Sequence, residues 1–499
     1  MPKQMCFNLM TETELGVQLK DGSAASALFY QILKTATEAH PLAFKSVNFS
    51  SSASDFRRQY VDLLPRFEAA RLNSDDPLGI AVELANGFAD QMVYRSADQG
   101  EPLASYLETP IATPELLKLA ANAAPGWQPR LSVGGESWSS LRELAAELWS
   151  RGLISKGASS AFEKLADTFG DAPSINLQGR KIVIFGASAE MAPTAQLLAA
   201  GADVLWIDLS QPDPLKNSDC RGGTLYYPKK GIDLLTQPRD ALAMIQAFAA
   251  GAAVDLCLYA YAPGHAREMR LSAAMNAIVN ALPAELIASV TLLLSPTTAT
   301  PLDHDDLTAL AKRRASRPFW EAFLEPLGIL GRGGGTAAAR HTPHTVGAAS
   351  RTVVAIQGAS YQAAQYLGKL MTAITWQTRG QLGKSNPRLM TVSANTAAIT
   401  QTKSLAHPVF DAAFAGASAL GVRTLTPLES QTLNGMLAIN DWLNPSQAVT
   451  GKVRIHGGIH TLPYPLNTAL RVAAGIGFIK KPAALLGLIP QKHPPSPTT

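Results

Sequence analysis

The chain is poor in charge. Only 16% of its 499 residues are Asp, Glu, Lys or Arg, well below the roughly 25% of an average soluble protein, so long solvated tracts do not dominate it. Neither sign prevails: 43 Lys+Arg stand against 39 Asp+Glu, a formal net charge of +4. No basic block forms a nucleic-acid tail, and nucleic-acid partners are not expected. Cysteine is scarce as well. Cys6, Cys220 and Cys257 lie far apart, share no metal-ligand spacing and make no disulfide framework, a usage that fits a reducing compartment. No apolar run reaches the 18 or more residues of a spanning helix, and the first residues lack an apolar signal core. The expectation is a cytoplasmic protein with no transmembrane segment and no metal site.

What is present is a 46% hydrophobic chain, long enough for two to four domains and a large core. Residues 1–172 read as a helical accessory domain, with apolar residues at three- and four-residue intervals over 24–37, 54–72, 77–94, 113–121 and 140–153. From residue 177 the pattern changes to alternation. Strands are expected at 181–185, 203–208, 224–227, 254–261, 289–294, 352–356, 389–393 and 452–455. Helices lie between them at 187–201, 239–250, 267–281, 361–378, 410–420 and 427–442. Strands alternating with helices at this spacing predict an α/β fold, a doubly wound parallel sheet of Rossmann-like type over 173–465. Residues 303–350 interrupt it as an insertion, of which 325–350 read as a lid over a substrate pocket, and 466–499 form a C-terminal extension expected to be disordered from about 490. Within that extension, the apolar stretch 472–479 reads as an oligomer or core contact in preference to an interfacial membrane helix.

Gly186 ends the first strand, where a tight turn would lead into a helix whose free N–H groups face a pyrophosphate. Asp208, 22 positions on, is near the spacing at which an acidic residue reaches adenosine ribose hydroxyls. Its charge favours NAD(H), with NADP(H) the second choice. Glu190 and Ala192 stand where such a turn usually carries glycine. His341 and His344 flank a proline with no acidic or thiol neighbour and read as loop. Gly331–Gly335 lacks the Gly-Lys-Ser/Thr ending of a P-loop.

Several segments, in order, resemble the short-chain dehydrogenase/reductase family. Ala448-Val449-Thr450-Gly451 and His456-Gly457-Gly458 look like its last strand and the Gly-Gly pair that follows. Thr391–Thr402 is similar to the stretch after its sixth strand, with Ala397-Ala398 in place of Pro-Gly and Thr402 matching a nicotinamide-contacting Thr. Ala260-Tyr261-Ala262-Pro263-Gly264 sits at its Asn-Asn-Ala-Gly turn. The resemblance implies cofactor contacts at Gly186, Ser188, Ala189, Met191, Asp208, Ala260, Ala262 and Thr402. It also implies a catalytic Tyr with a Lys on the same helix face. Two pairings fit: Tyr366 with Lys369 at i, i+3, or Tyr361 with Lys369, eight residues and about 12 Å apart along an α-helix. The wider pairing is similar to the divergent enoyl-thioester reductases. The family's active-site Ser, sought after the strand at 352–356, meets Gln357 and Gly358 instead.

The implied activity is reduction of a C=C or C=O near an acyl, thioester-like carbonyl, in a homo-oligomer or as a subunit of a larger complex. The alternative is a degenerate member serving as scaffold or sensor, which the substituted glycines and the displaced Lys favour.

Overall fold

The computed structural model describes residues 15–482 apart from 21, 23, 98, 217–220, 263–265, 338–346, 383–390, 397–399, 406–407 and 446–450. Cys6, Cys220, Pro263, Gly264, His341, His344, Ala397, Ala398, Ala448, Thr450 and the proline-rich tail lie outside the described residues. No helix among the described residues is long and apolar enough to cross a membrane.

The chain opens with β1 (Gly16–Leu19), α1 (Ala25–Ala39), α2 (Ala53–Leu72), α3 (Pro77–Ala89), β2 (Met92–Arg95), β3 (Gly100–Pro102) and β4 (Leu116–Leu119). The helices α4 (Leu141–Ser150) and α5 (Lys156–Phe169) follow. Residues 116–119, expected to be helical, are instead an antiparallel edge strand. Four residues, Leu-Leu-Lys-Leu, are too few to separate a period of 2 from one of 3.6.

The alternating part then supplies β5 (Lys181–Phe185), α6 (Thr194–Ala199), β6 (Asp203–Ile207), β7 (Leu225–Pro228), α7 (Pro238–Ala249), β8 (Val254–Leu258), α8 (Arg267–Ala281) and β9 (Ile287–Leu294). The central sheet has seven strands in the order β10-β9-β8-β5-β6-β7-β4, where β10 is Thr391–Thr396. Six are parallel, and taken in chain order they lie 3-2-1-4-5-6. Their sequences, such as Ile-Val-Ile-Phe in β5 and Val-Leu-Trp-Ile in β6, are near-continuous apolar runs, as strands covered on both faces must be.

Alternate residues serve two cores. Val183 and Phe185 of β5 face one that contains α1–α3 and α8, while Ile182 and Ile184 face another containing α4, α5 and α14 (Pro427–Leu443). The N-terminal residues therefore cover both faces of the sheet and extend its edge.

Beyond β9 come α9 (His304–Ala315) and α10 (Phe319–Leu324), and a small antiparallel sheet in which Ala348–Ser350 pairs with Pro301–Leu302 and Gly335–Ala337. The strand expected at 352–356 is not one: extended backbone passes into a 3₁₀ turn at Ala355–Gln357. The strand expected at 452–455 reduces to one bridge between Ile455 and Ile154. The helix α11 (Ala359–Ala363) runs on as a π-helix over Ala364–Met371, then as α12 (Thr372–Leu382). Its wide turns leave carbonyls without α-helical partners. Asn276 of α8 donates to the Gly368 carbonyl at 2.7 Å, and the Thr372 hydroxyl donates to that of Leu367 at 3.0 Å. The last helices are α13 (Pro408–Ala417), α14, and α15 (Leu466–Lys480).

Candidate functional site

A cavity of about 590 Å³ lies at the carboxyl ends of the parallel strands. Its walls are the segments that leave β5 (Ser188–Met191), β8 (Tyr259–Ala262), β9 (Ser295–Thr297) and β10 (Thr400, Thr402). β5 and β8 are neighbours in the sheet although two strands intervene in the chain. Their following segments part there, and that is where open α/β sheets hold ligands.

Gly186 makes the approach of these two segments feasible. Its φ is +74°, and a Cβ there would lie 2.4 Å from the Ala260 Cα, in contact with backbone that cannot move aside. The expected helix does not start after this turn. α6 begins only at Thr194, so no helix N-terminus stands directly behind Gly186. Asp208 accepts from the Ser188 N–H at 2.9 Å and, through its other oxygen, from the Ser210 N–H at 2.9 Å. The carboxylate thus braces the Gly186 turn from below. Glu190 lines the cavity, and one of its oxygens accepts the Lys403 N–H at 2.9 Å.

Of the eleven residues singled out by sequence, Ser188, Ala189, Met191, Ala260, Ala262, Tyr361, Lys369 and Thr402 all line this one cavity. Gly186 and Asp208 stand behind it. Tyr366 is elsewhere. Its ring is buried against Phe29 and Phe67, and its hydroxyl donates to Glu68 at 2.5 Å, beside the buried Glu68–Arg71 pair. Burial, and then the Glu68 carboxylate, push its phenol well above the ordinary range. The Tyr366–Lys369 pairing is therefore corrected: Tyr366 is a packing residue on the opposite side of its helix.

Tyr361 and Lys369 line the same cavity, and the π-helix is what allows it. At about 100° per residue, eight α-helical residues overshoot two turns by about 80°. The wider turns from Ala364 remove part of that overshoot, and Tyr361, Gln365 and Lys369 all face the cavity. Such insertions recur at functional sites.

Two residues escaped the sequence reading. Ser295 is the first residue after β9, the fifth parallel strand, and it neighbours the Tyr361 hydroxyl. With 352–356 read as a strand, the sequence points to Gln357 and Gly358, about sixty positions downstream. The signal was present: Ser295 is the polar residue that closes the apolar run Val-Thr-Leu-Leu-Leu. Ser295 Oγ is 2.7 Å from Thr297 Oγ1, which donates to Gln357 Oε1 at 2.7 Å.

Glu268, in the first turn of α8, takes Lys369 Nζ at 2.9 Å, Gln365 Nε2 at 3.4 Å and the Ala262 N–H at 2.8 Å. Gln365 in turn accepts from the Ser295 N–H at 2.9 Å. Glu268 and Lys369 are nearly inaccessible, with side chains 4% and 7% exposed, so each ion depends on the other.

Burial pushes the Tyr361 phenol well above its ordinary range. The Ser295 hydroxyl opposes this, while Tyr261 and the Glu268 charge add to it. The phenol is thus held protonated as a hydrogen-bond donor facing the cavity. The opposite wall is apolar: Val354, Leu405, Phe410, Phe414, Leu466 and Leu470. These come from the chain before α11, from the segment after β10 with α13, and from α15; among the described residues of the 325–350 segment, expected to form a lid, none lines the cavity.

Comparison with the sequence profiles of known protein families, and with curated protein sequences, gives no match. Among the described residues no group of His, Cys, Asp and Glu could hold a metal ion.

Proposed function

We propose that the protein is an NAD(H)-dependent reductase of the short-chain dehydrogenase type, built on a Rossmann-like sheet, acting on a C=C or C=O beside an acyl carbonyl. One observation carries the reading. Tyr361, Ser295, Lys369 and Thr402 meet in one cavity at the carboxyl ends of strands ordered 3-2-1-4-5-6, the order in which dinucleotides are held at the β5/β8 crevice. The residues fit the group. The Gly186 turn brings the chain close against Ala260, Ser188–Met191 and Tyr259–Ala262 offer backbone along the crevice, and Glu190 and Asp208 are each engaged by backbone N–H groups. When bound, the nicotinamide would supply hydride.

The chain's own residues supply the rest. Tyr361, kept neutral by burial, donates a hydrogen bond and then its proton to the oxygen on which negative charge develops. Ser295, fixed through Thr297 and Gln357, presents a second hydroxyl beside that oxygen. Lys369, anchored by Glu268, offers its remaining donors to a ribose, and Thr402 orients the carboxamide. The apolar wall from Leu405 to Leu470 accepts an acyl chain and keeps water from the reacting atoms.

A second reading is favoured by one feature, the salt bridge that ties Lys369 to Glu268. In that reading the fold is a nucleotide-binding sensor or scaffold without turnover. NADH titration followed by turnover of enoyl and ketoacyl thioesters separates the two. Saturable binding with turnover supports the reductase, binding without turnover supports the sensor, and absence of binding removes both and leaves a pure scaffold.

A further inference from the structure

The segment 312–332 does not touch the cavity, and its composition is unusual for this chain. It holds five cations (Lys312, Arg313, Arg314, Arg317, Arg332) and two anions (Glu321, Glu325), a net of +3 in a protein whose whole net charge is +4. Glu325 is shared by Arg314, Arg317 and Arg332, and Glu321 is taken by Arg313. The carboxylates are therefore already committed, and the surplus charge is cationic.

Between these cations α10 exposes Phe319 (85%) and Phe323 (56%), and the turns that follow expose Leu327 (57%) and Ile329 (48%). Phe319 and Phe323 stand four residues apart on α10, and their phenyl rings stack at 6.4 Å. On the inner face, Trp320 and Leu324 pack against the cluster that holds Leu466 and Ala469 of α15. The exposed rings thus stand on a fixed base.

We propose that this face is a docking surface for an anionic lipid bilayer, with Phe319 and Phe323 entering the headgroup boundary while Lys312 and Arg332 contact the headgroups. Three features single out this occupant. A ring 85% exposed stands clear of the surface around it, so it suits a fluid surface better than a rigid partner. The four apolar side chains offer roughly 500 Å², at about 200 Å² for a full side chain, an exposed apolar patch of the size that marks an interaction surface. The committed carboxylates leave a positive rim, which fits a negative surface. The proposal stands apart from the reductase reading, though the same helix, α15, both backs this face and lines the apolar cavity wall through Leu466 and Leu470.

The test is co-sedimentation of the full chain with vesicles of phosphatidylcholine alone or mixed with phosphatidylserine, alongside its solution mass. Expected is binding to the mixed vesicles, weakened by salt. Lys312→Gln with Arg332→Gln should weaken it about fivefold per cation removed. Phe319→Ser with Phe323→Ser should abolish it while leaving NADH titration and melting temperature unchanged. Equal binding to both vesicle types, no binding, or binding indifferent to the two phenylalanines overturns the proposal. So does a stable dimer that the phenylalanine variant dissociates. Loss of NADH binding in the parent protein bears on the reductase reading alone.

Discussion

Tyr361 and Tyr366 lie five residues apart on one helix, and the structure gives them opposite consequences. Tyr366→Phe removes a hydroxyl that donates to the buried Glu68 carboxylate at 2.5 Å. Arg71 still binds Glu68 through two bonds of 2.8 and 2.7 Å, so the ion is not orphaned and the loss is that of one hydrogen bond to a charged group, about 1.5–3 kcal/mol. Differential scanning calorimetry should show melting lowered by a few degrees, with NADH affinity and turnover intact below the transition. Tyr361→Phe removes a hydroxyl at the rim of a cavity and should cost less than about 1 kcal/mol. Turnover of the best thioester substrate should fall by roughly 10²–10⁴, the usual contribution of a general acid, while NADH still binds. A Tyr366→Phe protein that melts normally but has lost turnover would refute the placement of the two side chains. A Tyr361→Phe protein with full turnover would refute the mechanism.

Two further outcomes follow from buried charge. Glu268→Gln leaves the buried Lys369 ammonium without its carboxylate partner and should destabilise the fold by about 3–5 kcal/mol, read as a lower melting temperature; a variant that melts with the parent would mean that the two side chains are not paired. His456 and His460 stack at 4.8 Å, both fully buried. Burial, with Lys452 nearby, holds His460 down at about 3 and His456 well below its ordinary value. Both stay neutral in the fold and ionise in the unfolded chain below about pH 6.5. The stabilisation is complete above that pH and lost as pH falls, by about 1.4 kcal/mol per unit for each ring. Urea midpoints between about pH 5 and 6.5 should show this against the opposing slope of Asp306, whose carboxyl burial raises to about 7, and His460→Phe should lower the net slope by one ring's share; an unchanged slope would mean the rings are accessible to water.

The central strands were legible because a strand buried on both faces must be apolar along its whole length, and Lys181–Phe185 and Asp203–Ile207 say so plainly. The helix at Arg267–Ala281 was legible from its period. The run at 352–356, Thr-Val-Val-Ala-Ile, is as β-branched as any strand, but it leaves the small side sheet and finds no partner in the large one; composition cannot report a missing neighbour. That false strand hid Ser295. Glu268 was hidden for another reason: an acid in a helix's first turn is expected on electrostatic grounds alone, and nothing near it in sequence points to Lys369, 101 positions away. The Tyr361–Lys369 pairing depended on a π-helix whose support, Asn276, comes from another helix.

The same helix explains why the N-terminal residues resist treatment as an accessory. Its cavity side carries Tyr361, Gln365 and Lys369, and its far side, Tyr366, is seated on α1 and α2 through Phe29, Phe67 and Glu68. Tyr60 of α2 donates to the Ala355 carbonyl at 3.0 Å, and Asp62 pairs with Arg351, so the N-terminal helices also hold the segment that carries Val354, Ile356 and Gln357 into the cavity. Gln357 orients Thr297, and Thr297 orients Ser295. In the proposed mechanism a phenol and a serine hydroxyl must be held within a fraction of an ångström to share one oxyanion, and both are fixed from behind by residues that come before the first strand of the alternating sheet. The N-terminal part is the back wall of the site.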